Sequence, residues 1–134
     1  MEKLKLVTEW TVSPQSLYEA WLDSEEHSAF TGSSASVEGQ VGGDMTAWDG
    51  YISGVIQELE PYGRIVQSWR TTEFPEGSDD SRLEILMNAV EGGTRLTFLH
   101  SDIPDGQAEM YAEGWEDHYF RPMRVYFEGS ADED

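Results

Sequence analysis

The sequence contains no cysteine, which excludes disulfides, thiol catalysis and any cysteine-based zinc site. Lysine is almost as scarce: Lys3 and Lys5 are the only two. All cationic side chains together number 8 against 27 Asp and Glu, a net charge of −19. That balance argues against a duplex-binding protein, because neutralising phosphates takes clustered Lys and Arg. It equally disfavours docking on anionic lipid headgroups. No apolar run approaches the roughly 18 residues of a membrane span. The first residues, Met1-Glu2-Lys3-Leu4-Lys5, lead straight into alternating residues where a signal segment would need continuous apolar ones. The expectation is a soluble cytoplasmic protein, with neither nucleic acid nor membrane as partner. A salt-adapted host and plain solubility explain the excess of acid equally well.

What the chain does hold is 16 aromatics within a 38% hydrophobic composition, too much for a solvated acidic coil. At 134 residues it has the size of one domain able to bury about two-thirds of its surface. The expected domain is residues 1–127, followed by an acidic, frayed tail over 128–134.

The local pattern is legible along most of this length. Leu4, Leu6, Trp10 and Val12 alternate with polar residues and predict a half-buried strand over 3–12. Ser13-Pro14 then reads as a helix cap, with Leu17, Tyr18, Trp21 and Leu22 on the buried face. Asp23-Ser24 restarts capping for a second short helix over 25–30, in which His27 lies in a polar run and is expected to be exposed. Strands follow at 45–48, 51–60, 64–71, 82–90 and 94–100. Asp49-Gly50, Pro61-Tyr62-Gly63 and Glu91-Gly92-Gly93 supply the turns. Links this short require antiparallel neighbours. A final helix over 107–127 carries Met110, Tyr111, Gly114, Trp115, His118, Tyr119, Pro122, Met123 and Tyr126 at helical spacing, with a kink or break expected at Pro122. This order predicts an α+β fold: a curved antiparallel sheet wrapped around the last helix, with two short helices between its first two strands.

Several of these residues also carry a family resemblance. Ser13-Pro14, Ala20-Trp21 and Asp23 come first, followed by Gly42-Gly43-Asp44, Gly54-Val55, Pro61 and Trp69. Gly93-Thr94, Leu96-Thr97, His100 and Gly114-Trp115 complete the order. Together they resemble the domain named after the activator of heat-shock protein 90 ATPase, over about residues 3 to 127. That domain belongs to the helix-grip superfamily shared with START domains, polyketide cyclases and the birch pollen allergen. The resemblance implies a cavity between the sheet and the last helix, often holding a lipid, steroid or aromatic polyketide. Met110, Trp115, Tyr119 and Met123 on the helix, with Trp69, Met87, Phe98 and His100 on the strands, are the expected lining. His100 shares strand parity with Leu96 and Phe98, so it points inward as a ligand anchor or as a satisfied core histidine.

Other chemistry finds little footing. Glu116-Asp117-His118 spreads over different helix faces, and His-x-x-x-His and Glu-x-x-His are absent, so no metal or other cofactor is expected. Gly-x-Ser-x-Gly does not occur, and the paired glycines sit in hairpin turns where no helix follows to cradle phosphate. Asp44 is expected to serve local hydrogen bonding at its turn. The leading expectation is a non-catalytic protein that holds a small hydrophobic molecule. One alternative is a chaperone accessory acting by protein contact, although the eukaryotic co-chaperone of this family has an additional N-terminal domain. The other is a cyclase- or hydrolase-like enzyme using the same cavity.

Overall fold

The computed structural model describes residues 1–129. Strand β1 (Glu2–Trp10) leads through helices α1 (Pro14–Leu22) and α2 (Ser24–Thr31) to a short β2 (Ser36–Val37). A meander follows: β3 (Asp44–Ala47), β4 (Ile52–Glu60), β5 (Arg64–Thr71), β6 (Ser81–Val90) and β7 (Gly93–Ile103). The seven strands form one antiparallel sheet in the order β1-β7-β6-β5-β4-β3-β2. The α1–α2 crossover therefore carries the chain from one edge of the sheet to the other. The last helical stretch runs as α3 (Ala108–Trp115), a π-turn (Glu116–Phe120) and α4 (Arg121–Glu128). This is the sheet, paired short helices and long final helix that the order of elements predicted, and the helix-grip arrangement that the resemblance implied.

Local chemistry accounts for the element boundaries. The Ser13 hydroxyl accepts from the Ser16 N–H at 3.2 Å, with Pro14 opening α1. The Asp23 carboxylate accepts from the Glu26 N–H at 2.9 Å, and Gly32 closes α2 in the left-handed conformation (φ 78°). Gly54 is required where β4 crosses β5, since a Cβ there would lie 1.9 Å from the Ser68 carbonyl oxygen. β2 escaped the sequence reading because two residues are too few to show alternation.

The sheet and helices enclose a core built from aromatic rings. Trp21 sits at its centre, 5.8 Å edge-on to Phe98, 5.2 Å from Tyr119 and 6.3 Å stacked on Phe30. Phe120 reaches Phe98 at 5.0 Å and Trp10 at 6.3 Å. The space beneath the π-turn and α4 is thus filled by protein.

Three expectations need revision. His27 is fully buried: it shares one face of α2 with Phe30 and Thr31, the next residues at helical spacing. The expected kink at Pro122 takes the form of the π-turn. Proline has no N–H for the carbonyl four residues back and its ring collides there, so the turn widens and the Arg121 N–H bonds to the Glu116 carbonyl. The final helix reaches Glu128, whose carboxylate accepts from the Thr11 N–H at 2.6 Å and ties α4 to the end of β1. The remainder of the expected tail, 130–134, lies outside the described residues.

Candidate functional site

A cleft of about 530 Å³ opens between the last helical stretch and the loop joining β3 to β4. Six of its thirteen lining residues are aromatic: Trp48, Tyr51, Trp69, Tyr111, Trp115 and Tyr119. Ile52 and Met110 add apolar surface, and Gly114 forms an open stretch of helix wall. A Cβ added at Gly114 would meet nothing within 4 Å, so the missing side chain leaves room inside the cleft. Glu73, Glu113, Asp117 and His118 bring polar groups to the lining, all four of them exposed.

The loop is shaped for this position. Trp48 and Asp49 both take left-handed backbone conformations (φ 54° and 58°), uncommon for residues with side chains. Ala47 pairs with Ile52, so the connection spans four residues, two more than Asp49-Gly50 alone predicts. The longer loop turns Trp48 toward the helix, where its ring stands 5.6 Å from His118. Tyr51 donates to the Glu73 carboxylate, and burial together with that carboxylate pushes its phenol up to about 12.

The opposite wall is held by directional hydrogen bonds. Tyr111 donates to Gln107 Oε1 at 2.8 Å, which leaves its oxygen to accept from Thr71 Oγ1 at 2.6 Å. Gln107 Nε2 donates to the Glu73 carbonyl at 2.9 Å. Trp69 meets Tyr111 edge-on at 4.9 Å and Trp115 at 5.3 Å.

The two buried histidines lie behind these walls, and the bonds they make decide their protonation. Ser81 spends its only proton on the Trp69 carbonyl at 2.6 Å, so its oxygen accepts from His100 Nε2–H at 2.9 Å. His100 Nδ1 is then the acceptor for the Trp115 indole N–H at 3.2 Å. The imidazole is neutral with both nitrogens engaged, and burial lowers its pKa to about 3. In the same way, His27 Nδ1–H donates to the Trp21 carbonyl at 2.9 Å. Its Nε2 accepts from the Tyr119 hydroxyl at 2.8 Å, and burial lowers this imidazole to about 4. Each histidine therefore fixes the orientation of an aromatic that lines the cleft: His100 holds Trp115, and His27 holds Tyr119.

The expected lining divides accordingly. Trp69, Met110, Trp115 and Tyr119 face the cleft. His100 is fully buried behind Trp69 and Trp115 and is a satisfied core histidine, with no nitrogen free for a ligand. Phe98 is fully buried, edge-on to Trp115 at 4.8 Å, and supports the wall from below. Met87 on β6 and Met123 on α4 are core residues outside the lining. Sequence reasoning missed Trp48, Tyr51 and Ile52, which flank the Asp49-Gly50 turn signal, and also Glu73, Glu113 and Asp117. Tyr111, Gly114 and His118 lay on the recognised helix face but were not assigned to the lining. Among the described residues, no group of three His, Asp or Glu is placed to hold a metal, and no helix is long and apolar enough to cross a membrane.

Comparison with known proteins places this geometry in context. The chain is 30% identical over 125 residues to the activator of 90 kDa heat shock protein ATPase homolog 1 of Homo sapiens, covering 93% of this chain and 37% of that protein. It is 32% identical over 130 residues to the corresponding homolog of Dictyostelium discoideum, covering 96% and 33%. The chain thus spans about a third of the length of these curated relatives. Its fold matches the crystal structure of an HSP90 activator from Plasmodium falciparum with a TM-score of 0.87 and 26% identity, over 94% of this chain and 96% of that one. CalU16 from Micromonospora echinospora shares the fold at 22% identity and a TM-score of 0.73, over 95% and 73%. A family model described as activator of Hsp90 ATPase homolog 1-like protein matches residues 11–128, and the chain belongs to that family.

Proposed function

We propose that this domain is a binding module that holds one small, mainly apolar molecule in the cleft between the last helical stretch and the β3–β4 loop. The observation that carries the reading is the cleft itself: about 530 Å³, walled by six aromatic residues and left open at Gly114. Binding sites for small molecules have this size and this mixture of apolar walls with a few polar groups. The walls are also pre-organised, because His100 and His27 hold Trp115 and Tyr119 through buried hydrogen bonds. Both imidazoles are neutral and fully engaged, which supports retention of the occupant over proton-transfer chemistry upon it. Gentle purification followed by native mass spectrometry, then titration with aromatic lipophiles and fatty acids, tests the reading. A co-purifying small molecule or a saturable micromolar ligand is expected. Failure of every probe to bind below millimolar concentration would refute it.

A second reading, contact with the heat-shock protein 90 chaperone, draws on a different observation. The Plasmodium falciparum protein that matches over 96% of its own chain is described as an HSP90 activator. An acidic surface of net charge −19 also suits a basic patch on a partner. Added protein is expected to change the ATPase rate of the host's own heat-shock protein 90. An unchanged rate at saturating protein would dispose of this reading and leave the cleft unaffected.

A further inference from the structure

The charge around the cleft has one sign. Its lining includes three carboxylates, Glu73, Glu113 and Asp117, with the imidazole of His118 and no Lys or Arg. Among the described residues, no cation pairs with Glu73 or Glu113. Asp117 meets Arg121 at 3.3 Å only in an exposed i,i+4 pair, an arrangement of small energetic weight. The walls between these carboxylates are aromatic, and aromatic faces present negative electrostatic potential to whatever lies over them. The rest of the protein adds to the same field, with 27 acidic residues against 8 basic ones.

Apolar walls alone would accept fatty acids, neutral polyketides and amines alike. An anionic headgroup here would face carboxylates with no guanidinium or ammonium in the lining to answer it. A neutral molecule would gain only burial. An ammonium or quaternary ammonium carried on an aromatic or aliphatic body gains burial, contact with aromatic faces and attraction to the carboxylates together.

We propose that the cleft selects a small organic cation, an amine or quaternary ammonium on an apolar body; this rests on the reading of the cleft as a binding site. The acids at the mouth give the cleft its charge preference, and the aromatic walls give it affinity.

A matched series tests this: 1-naphthylmethyl-trimethylammonium, 1-naphthylmethanol and 1-naphthylmethanesulfonate, which share a ring and differ in charge. Affinities are read by calorimetry. The cation is expected to bind about tenfold more tightly than the alcohol, and the sulfonate more weakly than either. In Glu113→Gln/Asp117→Asn the cation-to-alcohol ratio is expected to shrink at least about fivefold, and raising the salt to 0.5 M should shrink it in the wild type. Glu91→Gln, at the far end of β6 and β7, should leave the ratio unchanged. Equal affinities across the series, tighter binding of the sulfonate, or an equal loss in Glu91→Gln would each overturn the cation preference while leaving the cleft a binding site. Absence of binding by all three probes while a fatty acid still binds would overturn the cation preference alone; failure of the fatty acids as well would remove the binding reading with it.

Discussion

Acidification from pH 7.5 to 5 should destabilise this protein steeply, and two imidazoles set the size of the effect. His100 and His27 have folded pKa values lowered to about 3 and about 4 from the ordinary 6.5, in both cases chiefly through burial. In the unfolded chain both take up a proton as the pH falls through 6.5, while in the folded protein both remain neutral. The stability they represent is therefore complete above pH 6.5 and is lost as the pH falls toward their folded values. Each unit of pH below 6.5 removes about 1.4 kcal/mol per histidine, so the pair removes about 4 kcal/mol by about pH 5. Against a total of roughly 5–15 kcal/mol for a domain, that is a large share. Urea unfolding followed by tryptophan fluorescence suits the measurement, because guanidinium is a salt and would screen the acidic surface. With a urea dependence of about 2 kcal/mol per molar, the midpoint should fall by roughly 2 M between pH 7.5 and 5. Stopping there keeps most carboxylates ionised. His100→Gln should cost about 1–3 kcal/mol at pH 7.5, because a flexible amide does not reproduce the imidazole's two opposed bonds, to Ser81 and from Trp115, yet it should halve the slope with pH. A flat wild-type profile over this window, or an unchanged slope in His100→Gln, would refute the assignment of a neutral, bonded His100.

Other consequences follow from the same geometry. Tyr119→Phe removes the donor to His27 Nε2 inside the core and should cost about 1–3 kcal/mol, read by urea denaturation. Gly54→Ala would place a Cβ 1.9 Å from the Ser68 carbonyl and should destabilise by about 1–3 kcal/mol or more as β4 is forced away from β5. Gly114→Ala has open space before it and removes a helical glycine, so it should stabilise by about 1 kcal/mol. Gly114→Leu should leave the protein folded and obstruct the cleft, abolishing ligand binding by calorimetry.

Much of the fold could be read from the sequence because its elements are strongly patterned. β7 shows Leu96, Phe98 and His100 on one parity, and all three are buried as expected. Ser13-Pro14 and Asp23 cap the helices they were expected to cap. The cleft was half legible. Met110, Trp115 and Tyr119 stood on a helix face that periodicity could assign. Trp69 lies on a strand buried almost throughout, where no alternation marks a face. Trp48 and Tyr51 flank a turn signal that says nothing of where its neighbours point. Left-handed backbone at Trp48 and Asp49 widens that turn and swings Trp48 toward His118. Pro122 announced a disturbance, and the structure shows its form: a π-turn before the proline, with Phe120 and Met123 on either side of it both kept in the core. His27 shows a different limit. Its neighbours Glu25, Glu26 and Ser28 are polar, and only its spacing to Phe30 and Thr31 indicated burial. Charge described the outside of the molecule, and the arrangement of its aromatics described the inside.

Binding in the cleft at Trp48 and Trp115 can be tested most directly through the indole N–H resonances of the five tryptophans during titration with an aromatic lipophile. Trp48 and Trp115 line the cleft, while Trp10 packs against Phe127 and Arg124 at the other end of the helix and serves as an internal reference. Saturable shifts are expected at Trp48 and Trp115, with Trp10 unmoved. Shifts of equal size at Trp10, or none at Trp48 and Trp115 while the ligand binds, would contradict binding in the cleft.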